Sequence, residues 1–339
     1  MIQNFQIKDK HKSFLLIGIG AKKKYYMEIV KPESSDEVHE AYGECDLTVS
    51  YDILSDGHEG ADIFTMNLGS MHDYLEAALL LQSYDFSYIV PVDIALSNSF
   101  VDPSSDGRRT YYLQYFIQKS LVKDDTVIFA TDNHASLYED IDVFLDDMDK
   151  KVSHFSANSS TLEMRQNIVF VANNLVDVPY ANVVLARMVL NSEVNEYPYD
   201  DVKRTAIFDI DQTDTVNDMA YFKSHADGSC TIENLLNLYP GESMMKLFTV
   251  YRICCYISRD LEFEKYIGST YVMYKKQQIS SEVEEYLSQC VGRLITSFRI
   301  DEVRAEEDFY HPGTVYILVK YSIKPIGSAE QFIQRTVKA

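Results

Sequence analysis

Residues 13–30, SFLLIGIGAKKKYYMEIV, carry the first clear structural signal in this chain. The apolar run at residues 14–19 is typical of a buried strand, and Gly18 and Gly20 resemble the start of a dinucleotide-binding loop. Such a loop needs a third glycine and a following helix, whereas residues 25–30 have the pattern of an extended segment. The sequence therefore predicts a strand that ends in a glycine-relieved turn, and no phosphate-binding loop.

Beyond this stretch, short apolar runs alternate with segments of helical periodicity. Runs that suit buried strands lie at residues 62–67, 86–92, 126–131, 167–172 and 205–210. Helical patterns follow Ser70 and cover residues 137–148 and 180–190. This alternation predicts an α/β domain with a mostly parallel sheet and helices on its faces.

The pattern changes after about residue 240. Extended segments are predicted at residues 248–257 and 270–274, and a long helix opens with the capping box at residues 281–284 and keeps an apolar face as far as Phe298. Two strands then finish the chain. We divide the sequence into an N-terminal arm, an α/β domain, a smaller α+β subdomain and an extended C-terminal β arm, at residues 1–12, 13–241, 242–325 and 326–339.

Composition excludes several classes of protein. A formal net charge of −21 argues against a nucleic-acid surface, and the basic triplet at residues 22–24 is predicted to be a solvated turn. Five cysteines without a C-x-x-C pair indicate neither a disulfide framework nor a zinc site. Neither a bilayer-spanning apolar run nor the pattern of a signal peptide is found, which predicts synthesis in the cytoplasm and no membrane insertion.

The sequence AIFDIDQTDT, residues 206–215, resembles the first motif of haloacid dehalogenase-like phosphatases. In that interpretation Asp209 is the nucleophile and Asp211 carries the proton. Gln212 stands where the motif usually has glycine, no later acidic pair is placed to hold magnesium, and about four strands precede this one rather than none. A polar strand end that enters a loop is the favoured interpretation.

Other polar residues gather where predicted strands end. Asp93, Asp132, His134 and Asp209 could share a cleft, because ligands bind at the carboxyl ends of strands in a doubly wound sheet. Asp and Asn are also favoured for turning out of a strand and capping the next helix. Since neither a nucleophile beside a base nor metal-ligand spacing accompanies them, we predict structural roles, with no catalysis, no metal and no cofactor.

Two long stretches resemble contractile tail sheath proteins of bacteriophages and related injection particles. In residues 13–69 a strand ends in a small-residue turn, a helix closes on Tyr42 and Gly43, and a second helix leads through Gly60 and Ala61 into an apolar strand. The ending is similar to the same family, with a long helix, the segment SFRIDEVRAEED, a strand, and KPIGSAEQFI before the terminus.

This resemblance implies a structural subunit that polymerises into a helical cylinder of stacked rings. It implies contraction that drives an inner tube through a host envelope, the tail tube, baseplate and tail terminator proteins as partners, and a location in the virion after assembly in the host cytoplasm. Terminal arms of neighbouring subunits exchange strands in such an assembly. The implied arm residues are Phe5, Ile7, Val315, Ile317, Val319, Tyr321, Ile323, Phe332, Ile333 and Val337.

A break in the last strand pattern bears on this implied exchange. Pro325 lacks a backbone donor and Gly327 admits unusual dihedrals, so we expect residues 330–337 to leave their own domain and not to fold back. Two alternatives stay open: a phosphotransferase centred on Asp209 and Asp211, and a non-contractile scaffold that uses the same terminal strands.

Overall fold

The structure, a computed structural model, describes residues 7–101, 109–120, 125–158, 166–200, 202–208, 210, 218–239, 244–261, 273–307, 315–326 and 331–338. The chain divides into two units, Met1–Phe248 and Thr249–Ala339, and the division lies slightly later than the boundary predicted at residue 242.

The first unit contains ten strands and six helices within the described ranges. Its strands are β1 Ser13–Ile19, β2 Ile29–Val30, β3 Asp62–Leu68, β4 Tyr88–Pro91, β5 Ser99–Val101, β6 Arg109–Tyr111, β7 Val127–Ala130, β8 Ile168–Val171, β9 Met219–Ser224 and β10 Cys230–Glu233. Its helices are α1 Ser35–Tyr42, α2 Asp46–Ser55, α3 Asp73–Leu81, α4 Tyr112–Ser120, α5 Ile141–Asn158 and α6 Ala181–Asn191.

Eight of these strands form one sheet in the order β10-β9-β8-β7-β4-β1-β3-β2. The six strands from β9 to β3 are parallel to their neighbours, and antiparallel strands stand at both edges. The chain places β3 on one side of β1 and then crosses to place β4 on the other. The direction of winding therefore reverses beside β1, and the carboxyl ends of β1 and β4 open a crevice there.

Burial explains why the central strands were visible in the sequence. Every residue of β3 is buried, as are the first six of β1, because helices cover both faces of the sheet. Aromatic rings line one face: Phe14 stacks on Tyr88 at 4.7 Å, Tyr88 on Phe129 at 5.3 Å, and Phe129 meets Phe248 edge-on at 5.7 Å. Each such ring contributes about 1.5–3 kcal/mol by leaving water.

The glycines after β1 are required by close packing and not by a ligand. A Cβ atom on Gly18 would lie 2.2 Å from Cγ2 of Val92, and one on Gly20 would lie 2.3 Å from Oδ1 of Asn67. The lysine triplet that follows lies in a turn, as predicted. Of the extended segment expected at residues 25–30, only Ile29–Val30 is a strand.

A buried arginine ties α2 to α6. The side chain of Arg187 is 4% exposed, and its guanidinium donates to the carbonyl oxygens of Ile53 at 3.0 Å and Asp56 at 2.7 Å. It also pairs with the carboxylate of Asp200 at 3.2 Å, which Arg204 contacts at 2.7 Å. The guanidinium thus donates hydrogen bonds to carbonyl oxygens at the end of α2, where carbonyls have no partner within the helix.

The second unit has an α+β arrangement. Helix α7, Phe248–Asp260, starts at the last residue of the first unit, and α8 is Met273–Cys290. Three antiparallel strands follow in the order β11-β12-β13, with β11 at Ile295–Glu307, β12 at Val315–Pro325 and β13 at Gln331–Lys338. The sheet is therefore built on a central strand, β12, with an edge strand on each side.

Several secondary-structure predictions are wrong. Helix α8 begins at Met273, so the segment predicted as extended at residues 270–274 is helical from residue 273, and the predicted capping box at residues 281–284 lies inside the helix. Among residues 205–208 only an isolated bridge between Ala206 and Leu175 forms, and β9 takes the place of that strand beside β8. Residues 248–257 are helical although their many β-branched and aromatic side chains favour a strand. Helix α8 ends at Cys290, because Gly292 at φ 80° turns the chain into β11, a strand that was not predicted. Leu137, assigned to the face of α5, is 73% exposed in a preceding turn.

Candidate functional site

A cleft of about 580 Å³ opens at the carboxyl ends of the central strands. Its lining includes Asp93, Asp132 and His134, three of the four residues predicted to share such a cleft. The fourth, Asp209, lies outside the described residues, as does Asp211. The cleft is acidic, since Asp46 and Asp177 also line it.

Asp93 stands where the sheet reverses its winding. It follows β4 with φ 62°, and its Oδ2 accepts the backbone N–H of Ile19 at 2.7 Å, which joins the ends of β1 and β4. Its Oδ1 accepts the hydroxyl of Tyr180 at 3.2 Å, just before α6. Burial raises the pKa of Asp93 to about 6, and the neighbouring carboxyl of Asp46 at the start of α2 adds to the increase. Four elements thus meet at one carboxyl group that favours the protonated form.

The other polar residues of the cleft are held by the backbone around them. Asp132 accepts the N–H of Leu96 at 3.0 Å and pairs with Lys151 at 2.7 Å, and Nε2 of His134 contacts the carbonyl of Leu175 at 2.7 Å. These contacts join the end of one strand to the loop that follows the next strand. A nucleophile beside a base is not found among them.

The described residues do not provide the strand that the phosphatase interpretation requires. Its motif needs a nucleophile at the end of a strand in the parallel sheet, and residues 205–208 do not form one. Within the described residues, no group of three or more His, Cys, Asp or Glu side chains is arranged to hold a metal ion.

The proton on Asp93 leads to a testable prediction. Its pKa is raised in the folded state from 3.8 to about 6, so the fold binds this proton more tightly than the unfolded chain does. The wild type should therefore lose stability, relative to Asp93→Asn, as the pH rises from about 4 to 7. Asparagine keeps an acceptor for the N–H of Ile19 and tolerates positive φ.

We expect Asp93→Asn to match the wild type near pH 4 and to exceed it by roughly 1–3 kcal/mol at pH 7 in denaturant unfolding. Asp177→Asn is a matched control, because it removes a carboxyl from the same cleft without the strand-end hydrogen bonds. Equal stability of Asp93→Asn and wild type at both pH values would show that the carboxyl is ionised in the fold without penalty.

The terminal sheet is the second candidate site. β12 pairs with β11 on one side and with β13 on the other, where eight positions from Tyr316 to Ile323 oppose Lys338 to Gln331. Apart from one bridge between Val291 and Ile295, no described strand pairs with the outer edge of β11 or β13. Two strand edges are thus available for main-chain hydrogen bonds.

The resemblance implies that the arm residues on β12 pair with a neighbouring subunit, whereas in the structure β12 is the central strand of the second unit's own sheet. Val319, Tyr321 and Ile323 are fully buried inside the second unit, so their side chains stabilise the chain's own core. Val315 and Ile317 lie on the same strand, and Phe332, Ile333 and Val337 lie on β13. The expectation that residues 330–337 leave their domain is wrong for the single chain, because β13 returns along β12.

The N-terminal arm is shorter than predicted. Ile7 packs against the core of the first unit, and the backbone N–H groups of Lys8 and Asp9 both donate to Oδ2 of Asp62, the latter at 2.6 Å. Nζ of Lys12 donates to the carbonyl of Leu190 at 3.1 Å. Residues 7–12 are therefore fixed to their own unit, and Phe5 lies outside the described residues.

The described helices include none with the length and apolar character needed to cross a bilayer. No known protein family matches the sequence, and no curated protein does so either.

Solved structures, in contrast, match nearly the whole chain. A chain of the anti-feeding prophage helical sheath in its contracted state is 9% identical with a TM-score of 0.61, over 98% of this chain and 95% of that one. A chain of the anti-feeding prophage baseplate gives 10% identity and a TM-score of 0.65, over 98% and 94%. A chain of the contracted sheath complex of the extracellular contractile injection system PVC gives 10% and 0.62, over 98% and 88%.

At these identities the likeness concerns the fold. It extends over both units of the chain. The resemblance found in the sequence is therefore confirmed at that level: this chain has the fold of contractile sheath proteins.

Proposed function

We propose that this protein is the structural subunit of a contractile sheath and polymerises into a helical cylinder around an inner tube. The observation that carries the proposal is the match to a helical sheath chain over 98% of this chain and 95% of the other. Because both chains are covered almost entirely, the likeness is not that of one common domain inserted in unrelated proteins. Hollow tubes or rings of the purified protein in electron microscopy are the expected result.

The terminal sheet supplies a physical means of joining subunits. The pairing of β13 with β12 is made by main-chain groups, so the same eight positions can pair within one chain or between two copies. Exchange of an identical element between copies creates no new type of contact and costs little. We therefore assign the connection between neighbours to β13, with the outer edge of β11 as a further place for pairing. Phe5, which lies outside the described residues, stays assigned to the N-terminal arm that the resemblance implies.

This assignment explains how subunits stay joined while a sheath changes length. A strand held by backbone hydrogen bonds and tethered by a short segment lets two bodies move without losing their connection. The partners that follow are further copies, the tail tube, and baseplate and terminator proteins at the ends. The particle is a phage tail or a phage-tail-like injection system, assembled in the cytoplasm of the producing cell. Contraction drives the tube through the envelope of the target.

In this role the protein has no catalytic activity. Asp209→Asn should leave tube formation unchanged, and neither this variant nor the wild type should hydrolyse a phosphoester in the presence of magnesium. The measurement is release of phosphate from p-nitrophenyl phosphate by purified protein, followed by electron microscopy of the same sample. Hydrolysis by the wild type that disappears in Asp209→Asn would replace the structural role with the phosphotransferase.

A further inference from the structure

A pocket of about 320 Å³ lies between the β5–β6 hairpin and helix α5. Its lining contains three cationic side chains, Arg109 from β6 and Lys150 and Lys151 from α5. None of the described residues that line it is Asp or Glu, in a protein whose formal charge is −21. We call it the basic pocket.

Not all three cations are available to a ligand. Lys151 is 20% exposed and already contacts Asp132 and Asp147, each at 2.7 Å. Lys150 is 70% exposed, and its ion pair among the described residues is with Asp146, which is 64% exposed and lies one turn earlier on the helix. Such an exposed pair contributes little and is readily exchanged for another carboxylate. Arg109 is exposed and has no partner among the described residues.

The other residues that line the basic pocket suit an anionic group at the end of a side chain. Leu96 and Phe155, each 5% exposed, form an apolar part of the wall, and the rings of Tyr111 and His154 meet edge-on at 5.5 Å. The hydroxyl of Ser97 adds a donor. Guanidinium and ammonium groups beside an apolar wall match a carboxylate together with the methylene groups that carry it.

We propose that the basic pocket binds the carboxylate of an acidic segment of a second copy of this chain. The inference rests on the proposed polymer. Subunits of charge −21 repel one another, and contacts that place acidic groups of one copy on the cations of the next reduce that repulsion. A free anion at such exposed cations is bound weakly, whereas a carboxylate held by a neighbour has a high effective concentration and the contact repeats at every subunit.

The test uses charge reversal in the full chain. Arg109→Glu should raise the protein concentration needed for tube formation by about tenfold or more, the equivalent of one lost ion pair buried at a contact. Lys276→Glu is the matched control, since it makes the same charge change at an exposed position on α8 and should assemble like the wild type. Lys150→Gln should give a smaller increase. Melting temperatures of the variant monomers report whether they fold.

A second measurement identifies the partner residue. Tubes assembled from a mixture of ¹⁴N- and ¹⁵N-labelled protein are treated with a carbodiimide, which joins ammonium and carboxylate groups in contact. We expect a mixed-isotope link between Lys150 and an Asp or Glu of another copy. Changing that acid to Arg should restore assembly of Arg109→Glu.

The outcomes separate the two proposals. Tubes that form normally from Arg109→Glu and Lys150→Gln, with no mixed-isotope link at Lys150, would overturn the pocket contact and leave the sheath role intact. A wild type that forms no tubes would overturn the sheath role and, with it, the contact between copies. Calorimetric binding of inorganic phosphate that is lost in Arg109→Glu while assembly is unaffected would make the pocket a small-anion site and would also overturn the proposal.

Discussion

The Leu294→Asp protein is expected to lose the fold of its second unit. Leu294 is 2% exposed in the turn between α8 and β11. Its backbone N–H donates to the carbonyl of Cys290 at 2.9 Å, and its own carbonyl accepts the N–H of Ile326 at 3.0 Å. The backbone cannot carry this side chain into water without breaking both bonds. A buried and unpaired carboxylate should therefore cost roughly 4 kcal/mol or more, a large share of a domain's stability.

Val291 provides a control in the same turn. It is 44% exposed, so Val291→Asp should change the free energy of unfolding by no more than about 0.5 kcal/mol. Denaturant unfolding and hydrogen exchange of β12 compare the two variants. If Leu294→Asp unfolds at the same denaturant concentration as Val291→Asp, the packing around this turn is not the one described.

Removing residues 327–339 is expected to abolish tube formation. The deletion removes β13, and with it the strand assigned to the connection between neighbours. A loss of even three net hydrogen bonds, each worth about 1 kcal/mol, weakens every contact by roughly 100-fold. β12 keeps its pairing with β11, so the truncated monomer should stay folded, with at most a modest decrease in melting temperature.

A variant that retains every residue position of β13 and changes only side chains distinguishes main-chain strand pairing from side-chain effects. Gln334→Thr with Thr336→Val preserves strand propensity along β13 and should still assemble, because main-chain groups make the connection. Tubes formed by the truncated protein would remove the connector role from β13. A truncated protein without a cooperative melting transition would show instead that β13 is needed inside its own chain.

The predictability of the fold follows the strength of each local pattern. The predicted bounds of β1 and β3 agree with the structure to within one residue, because burial on both faces favours a predominantly apolar run. Helix α7 is not predicted, since residues 248–257 are rich in β-branched and aromatic side chains, which suit either a strand or a buried helix. The end of α8 does have a signal in the sequence: Gly292, the residue type that most readily adopts positive φ after a helix.

The strand-end cleft was predictable in its residues and the basic pocket was not. Asp93, Asp132 and His134 each follow a predicted strand, and parallel strands bring their carboxyl ends to one edge. Arg109 and Lys150 are far apart in sequence on elements of unremarkable pattern, and only the packing of the β5–β6 hairpin near α5 brings them together. The pairing of β13 with β12 could not be inferred either, because a proline before a strand does not determine which sheet that strand joins.

Electron microscopy of the purified full-length protein tests the central claim most directly. A sheath subunit should form hollow tubes or stacked rings without any other protein, since its connecting strands and their partners are on the same chain. The expected image shows cylinders of uniform diameter that are absent from the sample lacking residues 327–339. A sample that remains monodisperse and monomeric at every concentration and salt condition tested would contradict the account.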